Sequence, residues 1–465
     1  MRNLSSNKFT FFVIFFWLLG FALNTISYLS IEPIILSIIF YYFGLLVVKN
    51  SVLQKNINFE SIAYKLTFPV MWFAAGIAAV YANYLNDPSQ LHDAIDFYNF
   101  ATSSEFNEFS LTDFQRVTEG SGVIIIWRSV YDFMAILGFS SGMYIGILVN
   151  ILFVSFASVL AVKIGRLAYG NDVYKIKAII VLFLFCGMYW LFSAVYLRDA
   201  AILFFVTTLS YLWTRYINQA NIFNLIIVIM ATIIMPILFV YLRAELYYAP
   251  FAFLLAGISA LLAFSERSAK KMIVMIFIGV LIISFLYIFQ EELHSFGKIL
   301  TEGNRQYAEV VQSNTSLGYI IVINQPIYIR SLIAPFYLFL SPIPFWSGLL
   351  HGSVYHLFKS MNTVFFYFVL PLILLSTYKL FTHKVYRSPV IMFHAFITFG
   401  FVLAVSLTSL EGRHIGVFLV SAFILAVLAD IANSTDRNRY EIILFIYLIL
   451  VFMIHVAWSL KFFLI

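Results

Sequence analysis

Apolar runs of roughly 18 or more residues recur along the whole chain, separated by shorter segments that carry the charged residues. Leu, Ile, Phe and Val dominate these runs, without the strict alternation of apolar and polar positions that is typical of membrane β-strands. A helix satisfies its own backbone hydrogen bonds inside a bilayer, so runs of this length favour spanning helices. The pattern predicts an all-α polytopic membrane protein.

We predict about 13 transmembrane helices from these runs. They cover residues 9–28, 33–48, 67–84, 143–162, 175–196, 201–213, 223–240, 247–264, 272–289, 363–380, 390–405, 417–428 and 442–460. The first run is too long for the apolar region of a cleaved signal peptide and lacks a small-residue cleavage site, so it is expected to stay as a span. The whole chain, 1–465, is expected to form one polytopic domain.

Two long polar segments interrupt the spans. Residues 85–140 are expected to form an extracytoplasmic acidic loop followed by an interfacial or re-entrant helix over 123–137. If that helix crossed the membrane, Lys163 and Arg166 would lie on the outer side, against the tendency of basic residues to stay in the cytoplasm. Residues 290–360 are expected to form a large extracytoplasmic loop over the membrane surface, because the segment is too long for a simple connection.

Composition agrees with this class, since 62% of the residues are hydrophobic and only 11% are charged. The formal net charge of +6 follows from topology, and no nucleic acid is expected as a partner. The single cysteine, Cys186, excludes a disulfide within the chain. In the predicted topology, lysine predominates inside and arginine outside, which is informative because a guanidinium group binds phosphate oxygens with a fork of donors.

Three arginines lie at the predicted outer ends of spans, each beside a polar partner. Arg198 is followed by Asp199, and the similar turn at Arg243 contains Glu245. The third, Arg413, lies between Glu411 and His414. A single arginine at such a position is readily explained by pairing with its acid or by snorkelling to headgroups. Three at one depth predict a cationic site for a phosphate or diphosphate on a lipid carrier.

His414 and Glu411 are the candidates for catalytic proton transfer. The ordinary pKa of histidine, about 6.5, lets His414 accept a proton from a sugar hydroxyl near neutral pH. It could equally be a helix-capping or interfacial histidine. Glu411 could be the base, or the acid that orients Arg413, and the sequence leaves both roles open.

The acidic loop alternates carboxylates with aromatic residues over 92–101. Such a mixture suits hydrogen bonding to sugar hydroxyls and stacking on sugar rings, although a solvated acidic loop is the simpler interpretation. His92, Asp93 and Asp96 lack the spacing of a recognisable metal site, so no metal is expected. The chain has no phosphate-binding glycine loop and no HExxH, so no nucleotide cofactor or zinc is expected and the energy must come from the substrate.

This arrangement resembles the Wzy/EpsG-like polymerases of bacterial surface polysaccharides, such as O-antigen and capsule. The resemblance consists of a loop aspartate followed by aromatics (Asp93 with Phe97 and Tyr98), a glutamate before an apolar segment (Glu119), an arginine opening a small-residue span (Arg198), and a late basic residue at an outer span end (Arg413 or His414).

The resemblance implies a GT-C-like membrane glycosyltransferase in the bacterial cytoplasmic (inner) membrane, with its active site on the extracytoplasmic side. Its substrate would be an undecaprenyl-diphosphate-linked oligosaccharide, and the reaction would need no metal. Arg198, Arg243 and Arg413 would bind the diphosphate, His414 or Glu411 would remove the proton, and Asp93, Tyr98 and Glu119 would contact sugar. A flippase and a chain-length regulator would be further protein partners.

Two other functions remain open at this point. A ligase, or another transferase that uses lipid-linked sugars, would share the arginines and differ in its acceptor. A flippase or transporter of the lipid-linked oligosaccharide should instead place polar residues at mid-membrane on broken helices. The predicted spans are almost wholly apolar in their middle and polar at the outer side, which favours chemistry at that side.

Overall fold

The computed structural model describes residues 6–50, 58–84, 92–102, 121–263, 322, 324–350, 352–408 and 410–464. Within these ranges the chain is all-helical and contains no strand. The α-helices are α1 Ser6–Tyr28, α2 Glu32–Asn50, α3 Phe59–Tyr84, α4 His92–Thr102, α5 Ser121–Ile136, α6 Tyr144–Tyr169, α7 Val173–Phe185, α8 Gly187–Ala194, α9 Asp199–Asn218, α10 Ile222–Leu242, α11 Ala249–Ala263, α12 Ile327–Leu340, α13 Phe345–Leu350, α14 Val354–Thr382, α15 Pro389–Thr408, α16 Gly412–Gly416, α17 Leu419–Ala426 and α18 Ser434–Leu464.

Nine of these helices are long and apolar enough to cross a membrane, and a tenth crossing results if the bent pair α7 and α8 counts as one span. The fold is therefore that of a polytopic helical membrane protein, as the sequence predicts. The predicted span 272–289 lies outside the described residues. Span 247–264 corresponds to α11, which has only 15 residues. Span 417–428 corresponds to the eight-residue α17, which the turn at residues 417–418 separates from α16.

The predicted span 175–196 is bent by 54° between α7 and α8, at Cys186. Gly187 begins α8 against the backbone of α14, and a Cβ atom there would lie 2.4 Å from the carbonyl oxygen of Phe358. Asn362 of α14 accepts hydrogen bonds from Cys186 Sγ (3.5 Å) and from the backbone N–H of Met188 (3.4 Å). The amide thus replaces a hydrogen-bond partner that the bend removes from the helix, which a bilayer interior requires.

The helix ends form two polar faces at opposite ends of the bundle. One face is here called the arginine face, because Arg198, Arg243 and Arg413 lie at the helix ends that form it. It also contains the ends of α1 and α3, where Tyr84 donates a hydrogen bond to the carbonyl of Ile26 (2.9 Å). The opposite face contains the ion pair of Arg166 with Glu60 (2.8 Å). It also contains the buried pair of Lys379 with Asp436, which ties α14 to α18. Which face points into the cell stays a prediction.

The region predicted as an interfacial helix forms α5, which is 16 residues long and therefore about 24 Å in length. That is shorter than a hydrocarbon core of about 30 Å. Trp127 of α5 is buried and donates to Asn150 of α6 (3.3 Å), so the helix packs on the bundle. Arg128 and Asp132 pair along α5 at 3.7 Å.

Candidate functional site

The first arginine turn lies between α8 and α9, where the chain is extended over Val195 and helical again from Asp199. The buried side chain of Asn150 in α6 fixes this turn, because its amide donates to the carbonyls of Val195 (3.2 Å) and Leu197 (3.1 Å). Trp127 in turn binds the amide oxygen of Asn150. The position of Arg198 and Asp199 therefore depends on a polar residue in the middle of a predicted span.

Arg243 brings the second arginine turn onto the first. It follows α10 in an extended conformation (φ −164°, ψ 111°), so the helix ends at Leu242. Its Nη1 lies 3.3 Å from Asp199 Oδ1, and its Nε lies 3.3 Å from Glu245 Oε2. Asp199 is buried, with a side chain only 3% exposed, whereas Glu245 is exposed. The two turns that begin alike in sequence thus meet through one buried ion pair.

The third sequence element, α16, reaches Arg243 through His414. Arg243 Nη2 lies 2.5 Å from His414 Nε2. A guanidinium group can only donate, so Nε2 must accept, and the imidazole is neutral with its proton on Nδ1. Burial lowers the pKa of His414 well below its usual 6.5, and the neighbouring charge of Arg243 lowers it further. Glu411 opposes this shift, and Arg413 and Arg198 add smaller lowering effects.

The three predicted arginines therefore converge. Arg243 contacts His414, which is the chain neighbour of Arg413, and it contacts Asp199, which is the chain neighbour of Arg198. The charges of all three act on the imidazole of His414. The residues come from segments that lie far apart in the sequence, so the fold alone brings them to one place.

Glu411 lies in the same cluster and remains ionised. Its Oε2 lies 3.3 Å from Arg413 Nε, and its Oε1 accepts a hydrogen bond of 2.5 Å from the hydroxyl of Tyr355. Burial would raise the pKa of Glu411, but the charges of Arg413 and Lys359, together with the hydrogen bond from Tyr355, outweigh it and lower that pKa to about 2. As a carboxylate, Glu411 can only accept hydrogen bonds, which suits orienting Arg413 and Tyr355.

Helix α4 covers the side of the cluster near Arg198. The guanidinium carbon of Arg198 lies 5.8 Å from the ring centre of Phe97, which is within the range of a cation–π contact. Tyr98 is half-buried and donates to the carbonyl of Ser141 (2.7 Å), and its ring lies 6.0 Å from that of Tyr196. Tyr98 thus packs on Tyr196, two residues before Arg198, while its chain neighbour Phe97 contacts Arg198 directly.

The other two predicted sugar-contacting residues are not placed in the site by the structure. Asp93 belongs to the first turn of α4, but its side chain lies outside the described residues. Glu119 lies outside the described residues altogether.

Sequence reasoning missed Asn150, Tyr355 and Lys359 as parts of this site. Asn150 had a signal, since it is the one amide in the apolar run 143–162 and a buried amide needs partners. No signal in the sequence marked Tyr355 and Lys359, because both lie near the end of the segment 290–360, which is predicted to be a surface loop. Lys359 Nζ lies 5.8 Å from the ring centre of Tyr355 and adds a fourth cation to the cluster.

Among the residues that the structure describes, no three His, Cys, Asp or Glu side chains lie close enough together to hold a metal ion. The expectation of a metal-free reaction stays a prediction.

Comparison with protein-family models, with curated proteins and with solved structures finds no match to this chain.

Proposed function

We propose that the chain is a membrane glycosyltransferase that polymerises undecaprenyl-diphosphate-linked oligosaccharide repeat units into a surface polysaccharide such as O-antigen or capsule. The observation that carries this proposal is that Arg243 contacts both Asp199 and His414, the chain neighbours of Arg198 and Arg413, at the end of a membrane bundle. An anionic group bound there would lie at the membrane surface, where a lipid carrier holds its diphosphate.

The pairing of the cations supports binding of a highly charged anion. The site contains four cations, Arg198, Arg243, Arg413 and Lys359, and three carboxylates, Asp199, Glu245 and Glu411. The buried carboxylate of Asp199 orients the guanidinium of Arg243, while exposed Glu245 is the partner that a phosphate oxygen could replace at little cost, because exposed ion pairs contribute little. Charge-assisted bonds from guanidinium to phosphate are shorter and stronger than neutral hydrogen bonds.

The proposed reaction transfers the growing glycan to a hydroxyl of the incoming unit. The bond between the anomeric carbon and the diphosphate oxygen breaks, and undecaprenyl diphosphate leaves with the electron pair. A new bond forms from the anomeric carbon to the acceptor oxygen, whose proton passes to a base. The arginines would stabilise the charge that develops on the leaving diphosphate.

His414 and Glu411 both remain candidates for the base. His414 can act only after Arg243 releases Nε2, for instance when a phosphate group takes over that guanidinium. Glu411 already accepts a hydrogen bond from the hydroxyl of Tyr355, but its low pKa makes it a weak base. Sugar binding is proposed for Tyr98, which lies on the helix whose Phe97 contacts Arg198, and the same role is proposed for Asp93 and Glu119.

The finer architecture belongs to this proposal as well: about 13 spans, an extracytoplasmic lid over a GT-C-like bundle, and a place in the bacterial cytoplasmic membrane with the arginine face outward. A flippase and a chain-length regulator are its proposed protein partners. A ligase function would use the same cluster with a different acceptor.

One observation favours the rival function of a flippase for the lipid-linked oligosaccharide. The bend between α7 and α8 is a broken span, and transporters often bind their cargo at broken spans near mid-membrane. Here the bend leaves no room for cargo beside Gly187, because Gly187 packs against the backbone of α14. The backbone N–H of Met188 at the bend already donates to the side chain of Asn362. Polymerisation therefore has the stronger support.

The test is the reaction of the purified full chain in detergent with undecaprenyl-diphosphate-linked repeat units. We expect a ladder of longer glycans from the wild-type protein, and a rate about ten- to a hundredfold lower for Arg198→Lys, since one ammonium cannot replace the fork of a guanidinium. Arg437→Lys is the matched control, because Arg437 is exposed on the opposite face. Single additions to a different acceptor would indicate a ligase.

No ladder and no single addition, together with movement of the lipid across vesicles, would indicate a flippase. An Arg198→Lys protein that is as active as Arg437→Lys would remove Arg198 from diphosphate binding.

A further inference from the structure

A groove of about 480 Å³ lies on the face opposite the arginine cluster, between the ends of α11 and α14 and the beginning of α15. Its walls are mainly apolar, and they include large side chains that the protein leaves uncovered. Phe381 is 75% exposed and Phe399 is 43% exposed. The groove therefore offers an apolar surface to lipid chains at the edge of the bundle.

Two cations, Lys384 and Arg387, line the mouth of this groove. Arg387 donates through Nε to the carbonyl of Leu380 (2.7 Å) and through Nη2 to that of Phe381 (2.6 Å). These bonds cap the C-terminus of α14 and fix the guanidinium at the mouth. A guanidinium has five N–H groups, so others remain for a further acceptor.

The groove carries no compensating acid among its described lining residues. Two other basic residues of the same face, Arg166 and Lys379, do have carboxylate partners, Glu60 and Asp436. Two cations above an apolar groove complement a molecule with an anionic head and an apolar body.

We propose that this groove binds an anionic phospholipid of the surrounding leaflet, with its phosphate between Lys384 and Arg387 and its acyl chains along the phenylalanines. Basic pockets between membrane helices recognise anionic headgroups in this way. A free phosphate ion would gain the cations but leave the apolar walls without a partner. The site is separate from the proposed transferase site and does not depend on that function.

The experiment measures lipid retention by the purified full chain in detergent, by native mass spectrometry, with phosphatidylglycerol or phosphatidylcholine added. We expect the wild-type protein to retain one phosphatidylglycerol preferentially. The double substitution Lys384→Gln with Arg387→Gln should weaken that retention about tenfold or more, because each cation strengthens the binding of an anionic headgroup. Lys384→Glu alone should weaken it as well, and it leaves the cap of α14 intact if the double variant fails to fold.

The matched control is Lys49→Gln with Arg437→Gln, which removes the same charge from exposed positions on the same face. The control should retain phosphatidylglycerol as the wild-type protein does. Equal retention by Lys384→Glu and the wild-type protein would overturn the proposal, as would equal retention of phosphatidylcholine. Displacement of the lipid by millimolar inorganic phosphate would also overturn it, since that result would indicate a simple anion site.

Discussion

Arg243 is bonded on three sides, to Asp199, Glu245 and His414, and this geometry determines the state of the histidine. Because the guanidinium occupies Nε2, the folded protein resists protonation of His414. A phosphate that draws Arg243 away would release the lone pair. Substrate binding and base activation could therefore be coupled through this single arginine.

His414 should make the protein less stable in mild acid. Its pKa is lowered in the folded chain, so the unfolded chain binds a proton below about pH 6.5 that the folded chain does not. Stability is therefore complete above pH 6.5 and falls as the pH decreases. At pH 5.5 this group accounts for at most about 1.4 kcal/mol. His414→Gln should flatten the dependence of Tm on pH between 7 and 5.5.

Glu411 provides the internal comparison, because its pKa is lowered to about 2 and its contribution is lost only as the pH falls from about 4.5 toward 2. Glu411→Gln should therefore leave the profile between pH 7 and 5.5 unchanged. A His414→Gln protein whose Tm falls with pH as steeply as that of the wild type would mean that Arg243 does not keep this imidazole neutral.

The site was predictable only as far as residue types and span ends allow. Arg198, Arg243 and Arg413 stood out because arginine beside a membrane is costly and each lay at a span end. The neighbouring acids Glu245 and Glu411 do pair with Arg243 and Arg413. The contacts of Tyr355 and Asn150 could not be assigned, since both connect segments that are distant in sequence. The exposure of a loop and the depth of a side chain are properties of packing, which one sequence does not contain.

At the scale of helices, continuous apolar runs predict the observed spanning helices where no break interrupts them, as in α6 and α10. They were read less well where packing interrupts the helix. The run 175–196 predicts one span, and the structure divides it into α7 and α8, which meet at a bend of 54° where Gly187 lets α8 approach α14. A glycine in an apolar run was the available signal, and its consequence depended on what faces it.

Gly187→Ala should destabilise the protein by about 1–3 kcal/mol, as overpacking in a dense interior does. The new Cβ would lie 2.4 Å from the carbonyl oxygen of Phe358 and 2.5 Å from the backbone N of Asn362, and helix backbones yield less readily than side chains. Thermal unfolding in detergent measures the effect.

Gly400→Ala is the matched control within α15. No atom lies within 4 Å of a Cβ at Gly400, so the substitution should be neutral or stabilise the protein by about 0.5–1 kcal/mol through higher helix propensity. If the two alanine variants unfold at the same temperature, the close approach of α8 to α14 does not control stability.

At the scale of the whole molecule, the two polar faces differ in how their cations are paired with carboxylates. Opposite the arginine face, Lys379 and Arg166 are paired structurally with single acids. At the arginine face, several cations and carboxylates share partners around one histidine. The proposed transferase requires the second arrangement on the outer side of the membrane, so the orientation of the arginine face tests that proposal directly.

The single cysteine makes that measurement direct. Cys186 is buried, and Cys186→Ser leaves a hydroxyl able to bind Asn362. In this background, cysteine at exposed Ser141 reports on the arginine face, and cysteine at Val385, which is 93% exposed, reports on the opposite face. We expect a membrane-impermeant maleimide to label Ser141→Cys in right-side-out vesicles, and Val385→Cys only after the vesicles are opened. The reverse pattern would place the arginine cluster in the cytoplasm, where no undecaprenyl-linked repeat unit is polymerised under the proposed scheme, and the transferase proposal would have to be abandoned even if the arginines bind phosphate.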